Sequence, residues 1–161
     1  MEGVSIRPAR PVDPPFLDAL VQRSKSHWTG GRAEDVPALT PKLTVADITT
    51  RHTTVAERGG DPVGFHTLNE HADYLGIGLF LVDRPFIGTG VGRLLRGDLV
   101  RRAAALGARV LGVGAEPRAE GFDQRTGMVT RHGFEHNGER LIGMTSDVAA
   151  IVHGPARRRA T

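Results

Sequence analysis

The chain has 161 residues, 39% of them hydrophobic and 24% charged, which is enough for one domain with a buried core. It carries a charge of +3 and a sequence pI near 10.1, almost wholly as arginine, since its lysines are Lys25 and Lys42. The absence of cysteine excludes disulfides, a thiolate nucleophile and a cysteine zinc site.

The longest apolar run, Tyr74 to Val82, is too short to cross a bilayer. Met1 to Pro15 holds no apolar core of the kind a secretory signal needs. The expectation is a cytoplasmic protein without a membrane partner. Arg157-Arg158-Arg159 lies in residues 155–161, a basic stretch read as a flexible tail. No aromatic residues interleave with those arginines, and aromatic content is 5%, so no nucleic-acid partner is expected either.

Val4-Ser5-Ile6-Arg7 alternates as a short strand does. Asp13 before Pro14-Pro15 predicts a helix start with a capping carboxylate. Phe16, Leu17, Leu20, Val21, Ser24 and Trp28 then form one helical face, ended by Gly30-Gly31. Thr40-Pro41 opens a weaker second helix reaching about Arg51. Thr53 to Glu57 and Pro62 to Leu68 read as strands around the turn Gly59-Gly60-Asp61. Tyr74 to Val82, apolar throughout, predicts a central strand covered on both faces. Val91, Leu94, Leu95, Leu99, Ala103 and Leu106 make a helical stripe stopped by Gly107. Arg109 to Gly114 is a further buried strand, and a short helix follows from about Arg118 to Thr126, ending at Gly127. Met128 to Glu135 and Glu139 to Asp147 flank Asn137-Gly138, a strong hairpin signal. The order β-α-α-β-β-β-α-β-α-β-β predicts a mixed sheet with helices packed on it.

The informative segment runs from Val82 to Leu95: strand, glycine-rich bend, helix. Gly88, Gly90 and Gly92 let the backbone turn sharply, and the helix start adds unpaired N–H groups and the positive end of its dipole. Such a bend can hold a phosphate or pyrophosphate. A dinucleotide fingerprint fails here, because Arg93 stands at the third glycine and Val110-Leu111 where an acid is needed. A phosphate loop ending in Gly-Lys-Ser/Thr is absent. Glycines that only allow close helix–strand packing remain the structural alternative.

Taken together, Ile6-Arg7-Pro8-Ala9, Gly64-Phe65, Ile87 to Gly92, Ala105-Leu106-Gly107-Ala108 and Glu116 to Met128 resemble the GNAT superfamily of N-acetyltransferases. The resemblance implies an α/β fold of the α+β type: a single domain, residues 1–161, with a mixed, splayed sheet flanked by about four helices. It implies acetyl-CoA as co-substrate, with the amides of Gly88, Thr89, Gly90, Val91 and Gly92, beside Ile87 and Arg93, around its pyrophosphate. Leu81 and Val82 would pair with the pantetheine as an added strand does. The activity implied is transfer of acetyl to a primary amine of a small molecule. A catalytically weakened acyl-CoA-binding module and a protein acetyltransferase are the alternatives. A homodimer is in keeping with the resemblance.

The sequence departs from the family pattern in three places. Ile87 replaces the usual arginine or glutamine, and Arg118 replaces a frequent asparagine. Asp123 stands at the position of the tyrosine that protonates the departing thiolate, while a second register ends the late helix at Gly133-Phe134 and puts Val129 there. Neither register supplies a tyrosine. The fourth strand also lacks the family's frequent glutamate, which leaves His66, Glu70, His71, Asp73 and His27 as candidates for deprotonating the amine. His27-Trp28 falls where relatives build the acceptor pocket, with core packing as the other reading of Trp28. The seven histidines show no pair at ligand spacing on one helix face, so no metal is expected.

Overall fold

The computed structural model describes residues 3–28, 44–50, 52–115, 120–125, 127–136 and 139–149. Seven strands and four α-helices follow in the predicted order: β1 (Val4–Pro8), α1 (Pro14–Trp28), α2 (Val45–Thr50), β2 (His52–Arg58), β3 (Asp61–Glu70), β4 (Leu75–Val82), α3 (Val91–Ala105), β5 (Val110–Ala115), α4 (Glu120–Arg125), β6 (Val129–His136) and β7 (Glu139–Asp147). A one-turn 3-10 segment, Arg84–Phe86, which no local sequence pattern signals, precedes α3. The sheet is mixed, in the order β1-β2-β3-β4-β5-β7-β6. The chain divides into two compact units, Met1–Asn69 with Gly78–Asp98, and Glu70–Ile77 with Leu99–Thr161.

In the first unit, the two-residue period of the strands sorts side chains into two apolar layers. Val55, Phe65, Leu79 and Leu81 meet Leu17, Leu20 and Val21 of α1 and Ile48 of α2. Ala56, Phe80 and Val82 meet Val91 and Leu95 of α3 on the other face. Val63 joins this second layer because the β2–β3 register slips between Ala56 and Glu57: Ala56 pairs with Gly64 and Glu57 with Pro62, leaving Val63 as the extra residue of a bulge. Gly64 is needed for a different reason. A methyl group there would lie 2.9 Å from the Leu81 carbonyl oxygen, 3.0 Å from Leu95 Cδ1 and 3.3 Å from Val91 Cγ1. The missing side chain is what lets α3 sit down on β3.

The start of α1 differs from its sequence reading. The Asp13 carbonyl opens the helix by accepting from Phe16 and Leu17, but its carboxylate turns back to the Arg10 N–H and to the Arg7 guanidinium at 2.8 and 2.9 Å. Arg7 Nε bonds Glu57 at 2.8 Å, so one cation ties β1, β2 and the α1 entry together. The Arg7 guanidinium holds the Asp13 carboxyl below the usual carboxylate range. Leu17, Leu20 and Val21 are buried as expected, whereas Phe16 is 56% exposed, because the core covers only part of the predicted face. The side chains of Ser24 and Trp28, the predicted helix end at Gly30-Gly31 and the predicted helix start at Thr40-Pro41 lie outside the described residues. The described α2 begins with a reciprocal cap: Thr44 Oγ1 accepts from the Asp47 N–H, and Asp47 accepts from the Thr44 N–H.

In the second unit, β5 pairs with β7 and β7 with β6, both antiparallel, and the β6 register shifts between Thr130 and His132. Met128 and Met144 pack with Val113 and Ile142. Parallel pairing of β4 with β5 covers Leu75, Gly76 and Ile77. Gly112 carries no side chain where the Tyr74 ring would meet one at 2.9 Å. The helix α3 closes at Gly107 (φ 71°), with Ala108 N–H on the Ala103 carbonyl and Gly107 N–H on that of Ala104, the paired bonds of a Schellman cap. The late helix ends at Arg125 before Gly127 (φ 98°), and Gly133-Phe134 lies inside β6, so the register that ended a helix there is corrected. The Asn137-Gly138 turn, Arg118 and the basic tail lie outside the described residues.

Two outcomes follow from this packing. Gly64→Val should lower the unfolding free energy by about 1–3 kcal/mol through overpacking, read from urea melts; an unchanged midpoint would refute the close seating of α3. Because the folded Asp13 carboxyl titrates below its unfolded value, its contribution is complete above the ordinary carboxylate range and disappears as pH falls through the lower folded value. The stability of Asp13→Asn should therefore fall less steeply on acidification than that of the natural chain.

Candidate functional site

The expected anion site lies within the first unit, where β4 gives way to α3. Asp83 leaves the strand with extended backbone, its N–H bonded to the Val63 carbonyl and its carboxylate accepting from the Arg84 N–H. Arg23 of α1 reaches the same carboxylate at 3.0 and 3.3 Å, which offsets the acid closest in sequence to the turn. The 3-10 segment closes with Ile87 N–H on the Arg84 carbonyl, and Thr89 uses both its N–H and its hydroxyl on the Phe86 carbonyl. Gly88 (φ 79°) and Gly90 (φ 102°) then take backbone conformations closed to side-chain-bearing residues, and the chain enters α3.

The first bond of that helix runs from Leu94 N–H to the Gly90 carbonyl at 3.0 Å. Val91, Gly92 and Arg93 therefore have N–H groups with no acceptor inside the helix. Among the described residues, the Gly88 and Gly90 amides have none either. No acid stands in the first helical turn. Val91 is fully buried and anchors the turn, while residues 87–90 and Arg93 are exposed. Nothing lies within 4 Å of the side-chain position at Gly88, and at Gly92 only Val82 Cγ2 does, at 3.7 Å. Open space, left-handed glycines and unused donors fit a diphosphate. Of the amides named from the sequence, that of Thr89 is the one already engaged within the turn.

Upstream, β4 is less covered than its apolar sequence suggests. Leu75 and Gly76 are buried, Gly78 is exposed, and Leu79 to Val82 are half-buried, because two glycines cover nothing and the recorded β5 register stops at Ile77. Asp83 N–H and Leu79 N–H both point to β3, the latter to Thr67 Oγ1 at 2.9 Å. By the alternation of strand backbone, Phe80 and Val82 present their amides to the opposite edge, whereas Leu81 faces β3. Thr67 and Asn69, neither singled out from the sequence, stand beside Gly78: a methyl group there would lie 2.6 Å from Thr67 Oγ1 and 2.8 Å from Asn69 Nδ2. The odd-numbered set shared with Phe65 could have marked both.

The remaining candidates are scattered. His66 is fully buried on β3 with Nε2 2.9 Å from Asp98 Oδ2 of α3 and its ring stacked at 6.5 Å on Phe80. Its Nδ1 has no partner among the described residues, nor does the hydroxyl of Thr54, its cross-strand neighbour. Glu70 ends β3 on the surface, and His71 stacks on Tyr74 at 4.4 Å. His27 and Trp28 end α1 and Asp123 lies on α4; the side chains of all three fall outside the described residues. A cavity of about 650 Å³ in the first unit is lined by Phe16, Arg23, Arg58, Asp61, Asp83 and Phe86, none of them sequence candidates. Among the described residues, no three histidine or carboxylate side chains cluster to hold a metal, and no helix is long and apolar enough to cross a membrane.

The fold and the turn can be set beside known proteins. No curated protein matches the sequence. A GCN5-related N-acetyltransferase of Rhodopseudomonas palustris is 25% identical, with a TM-score of 0.74 over 91% of this chain and 97% of its own. The PaiA N-acetyltransferase of Thermoplasma acidophilum, solved with coenzyme A, shares the fold at 14% identity and a TM-score of 0.74, covering 89% of this chain and 98% of that one. A GNAT acetyltransferase of Elizabethkingia anophelis with acetyl-CoA bound does so at 16% and 0.63, over 91% and 99%. The family profile described as Acetyltransferase (GNAT) matches residues 18–134, a span that takes in the glycine turn and the helix it opens, and the chain belongs to that family.

Proposed function

We propose that this acetyltransferase moves acetyl from acetyl-CoA to a primary amine of a small molecule. The observation that carries the reading is the run of unengaged N–H groups at Gly88, Gly90, Val91, Gly92 and Arg93, gathered at one bend with no acid in the helix's first turn. Those groups would clasp the pyrophosphate, with the Arg93 guanidinium beside it. The Phe80 and Val82 amides on the open side of β4 would receive the pantetheine amides, so that of the two residues named from the sequence Val82 is the better placed donor. Leu81 would contribute its side chain to the wall rather than its N–H.

Amine attack on the thioester forms the C–N bond and releases the sulfur as a thiolate. A thiol of pKa roughly 8.5 leaves tolerably without help, so a missing general acid would cost about 10²–10⁴-fold rather than all activity. Asp123 is the residue that would give such help. The second reading, an acyl-CoA-binding module, is favoured by one fact: the only tyrosine, Tyr74, is stacked on His71 at the β3–β4 turn and not on the late helix.

Calorimetry with acetyl-CoA and a thiol-release assay across an amine panel separate the two. Binding with turnover supports the enzyme, binding without turnover supports the module, and absence of binding refutes both. Gly90→Val, which forces a side chain onto φ 102°, should weaken acetyl-CoA binding by about 10–100-fold and cost about 1–3 kcal/mol of stability. Unchanged affinity would take the turn out of the site.

A further inference from the structure

Position 78 is the exposed middle of β4, and it is a glycine whose side-chain volume belongs to β3. The Thr67 hydroxyl and the Asn69 carboxamide fill it, at 2.6 and 2.8 Å from where a methyl carbon would stand. Thr67 is fully buried, and its hydroxyl accepts from the Leu79 N–H, which holds it in place. Asn69 is half-buried, and its carboxamide makes no hydrogen bond with the described residues. Its carboxamide, left to water or a ligand, is thus open to an incoming group at the exposed centre of the strand. Carboxamides also cannot take up a proton near neutral pH; they can only accept an N–H and offer one.

Resting on the acetyl-transfer reading above, we propose that Asn69, set by Thr67, holds the attacking nitrogen of the acceptor, and that the acceptor is an amine already uncharged near pH 7. An aryl amine, an acyl hydrazide or a similarly weak base satisfies that condition. Its nitrogen lone pair forms the bond to the acetyl carbon, the C–S pair leaves with sulfur, and the proton lost by nitrogen ends on the thiolate through solvent. An alkyl amine of pKa about 10.4 presents only about 0.1% of itself in that form at pH 7.4, a roughly thousandfold handicap unless a base removes its proton.

The test compares the natural chain, Asn69→Ala and Asn69→Asp on aryl amines, acyl hydrazides and alkyl amines at saturating acetyl-CoA, with calorimetric acetyl-CoA affinity alongside. The natural chain should favour the weak bases by at least about 100-fold in kcat/KM. Asn69→Ala should lose about 10–100-fold toward them while acetyl-CoA affinity stays within about twofold. Asn69→Asp, which supplies a proton acceptor, should narrow the gap in favour of alkyl amines. Preference for alkyl amines, no turnover of weak bases, or an Asn69→Ala chain as fast as the natural one would overturn the inference with cofactor binding intact. Loss of acetyl-CoA binding in the natural chain would instead sink the acetyl-transfer reading itself.

Discussion

The close seating of α3 on β3 is the constraint from which the candidate site follows. Gly64 leaves no room for even a methyl group among Leu81, Val91 and Leu95, so the helix packs directly over the backbone of β3. The chain leaving β4 at Val82 must then turn and enter that helix within the eight residues Asp83 to Gly90. A turn this tight uses a 3-10 segment and two left-handed glycines, and it engages some amides, those of Ile87 and Thr89, to hold its own shape. The amides of Gly88, Gly90, Val91, Gly92 and Arg93 are left without an acceptor among the described residues. On the reading proposed above, anion binding would be a by-product of packing: the turn that buries Val91 leaves its neighbours' donors unused.

Because main-chain groups supply those donors, the side-chain departures in this stretch matter less than their prominence suggests. Ile87 lies outside the set of glycine amides, and replacing a polar residue there removes at most one additional contact. The electrostatics agree. Arg23 answers Asp83, the acid closest in sequence to the turn, across an exposed pair whose own worth is small. Its effect on an incoming dianion is still to lower repulsion where the helix dipole is already favourable.

Much of this was legible in the sequence because it depends on local rules. Period-two alternation, Gly107 at a helix end and the glycine bend each report on a few adjacent residues. What escaped depends on distant partners. Asp13 reads as a helix cap, yet its carboxylate is claimed by Arg7 from β1, six residues back and across a turn. Phe16 fits the helical stripe but stays outside, since the sheet's apolar area is filled by Leu17, Leu20 and Val21. Val63 changes face only because a bulge forms opposite Ala56 and Glu57. His66, a candidate base by residue type, faces Asp98 of α3, a pairing 32 residues away that no local pattern signals.

The strand β4 shows why an apolar run need not be a sealed core. Its glycines at 76 and 78 lower strand stability, since each loses more backbone entropy than a side-chain-bearing residue and contributes no packing. At 78 the lost contacts are partly replaced from β3, where a threonine hydroxyl accepts from the Leu79 N–H and an asparagine carboxamide lies beside the vacant position. Trading a β4 side chain for two β3 polar groups moves the chemistry of the strand's exposed centre from an ionisable residue to neutral ones. A carboxylate there would attract an ammonium and then relieve it of its proton; a hydroxyl and a carboxamide can orient a nitrogen but leave its protonation to the substrate. If Asn69 holds the acceptor nitrogen as proposed, the acceptor's own basicity becomes part of the recognition.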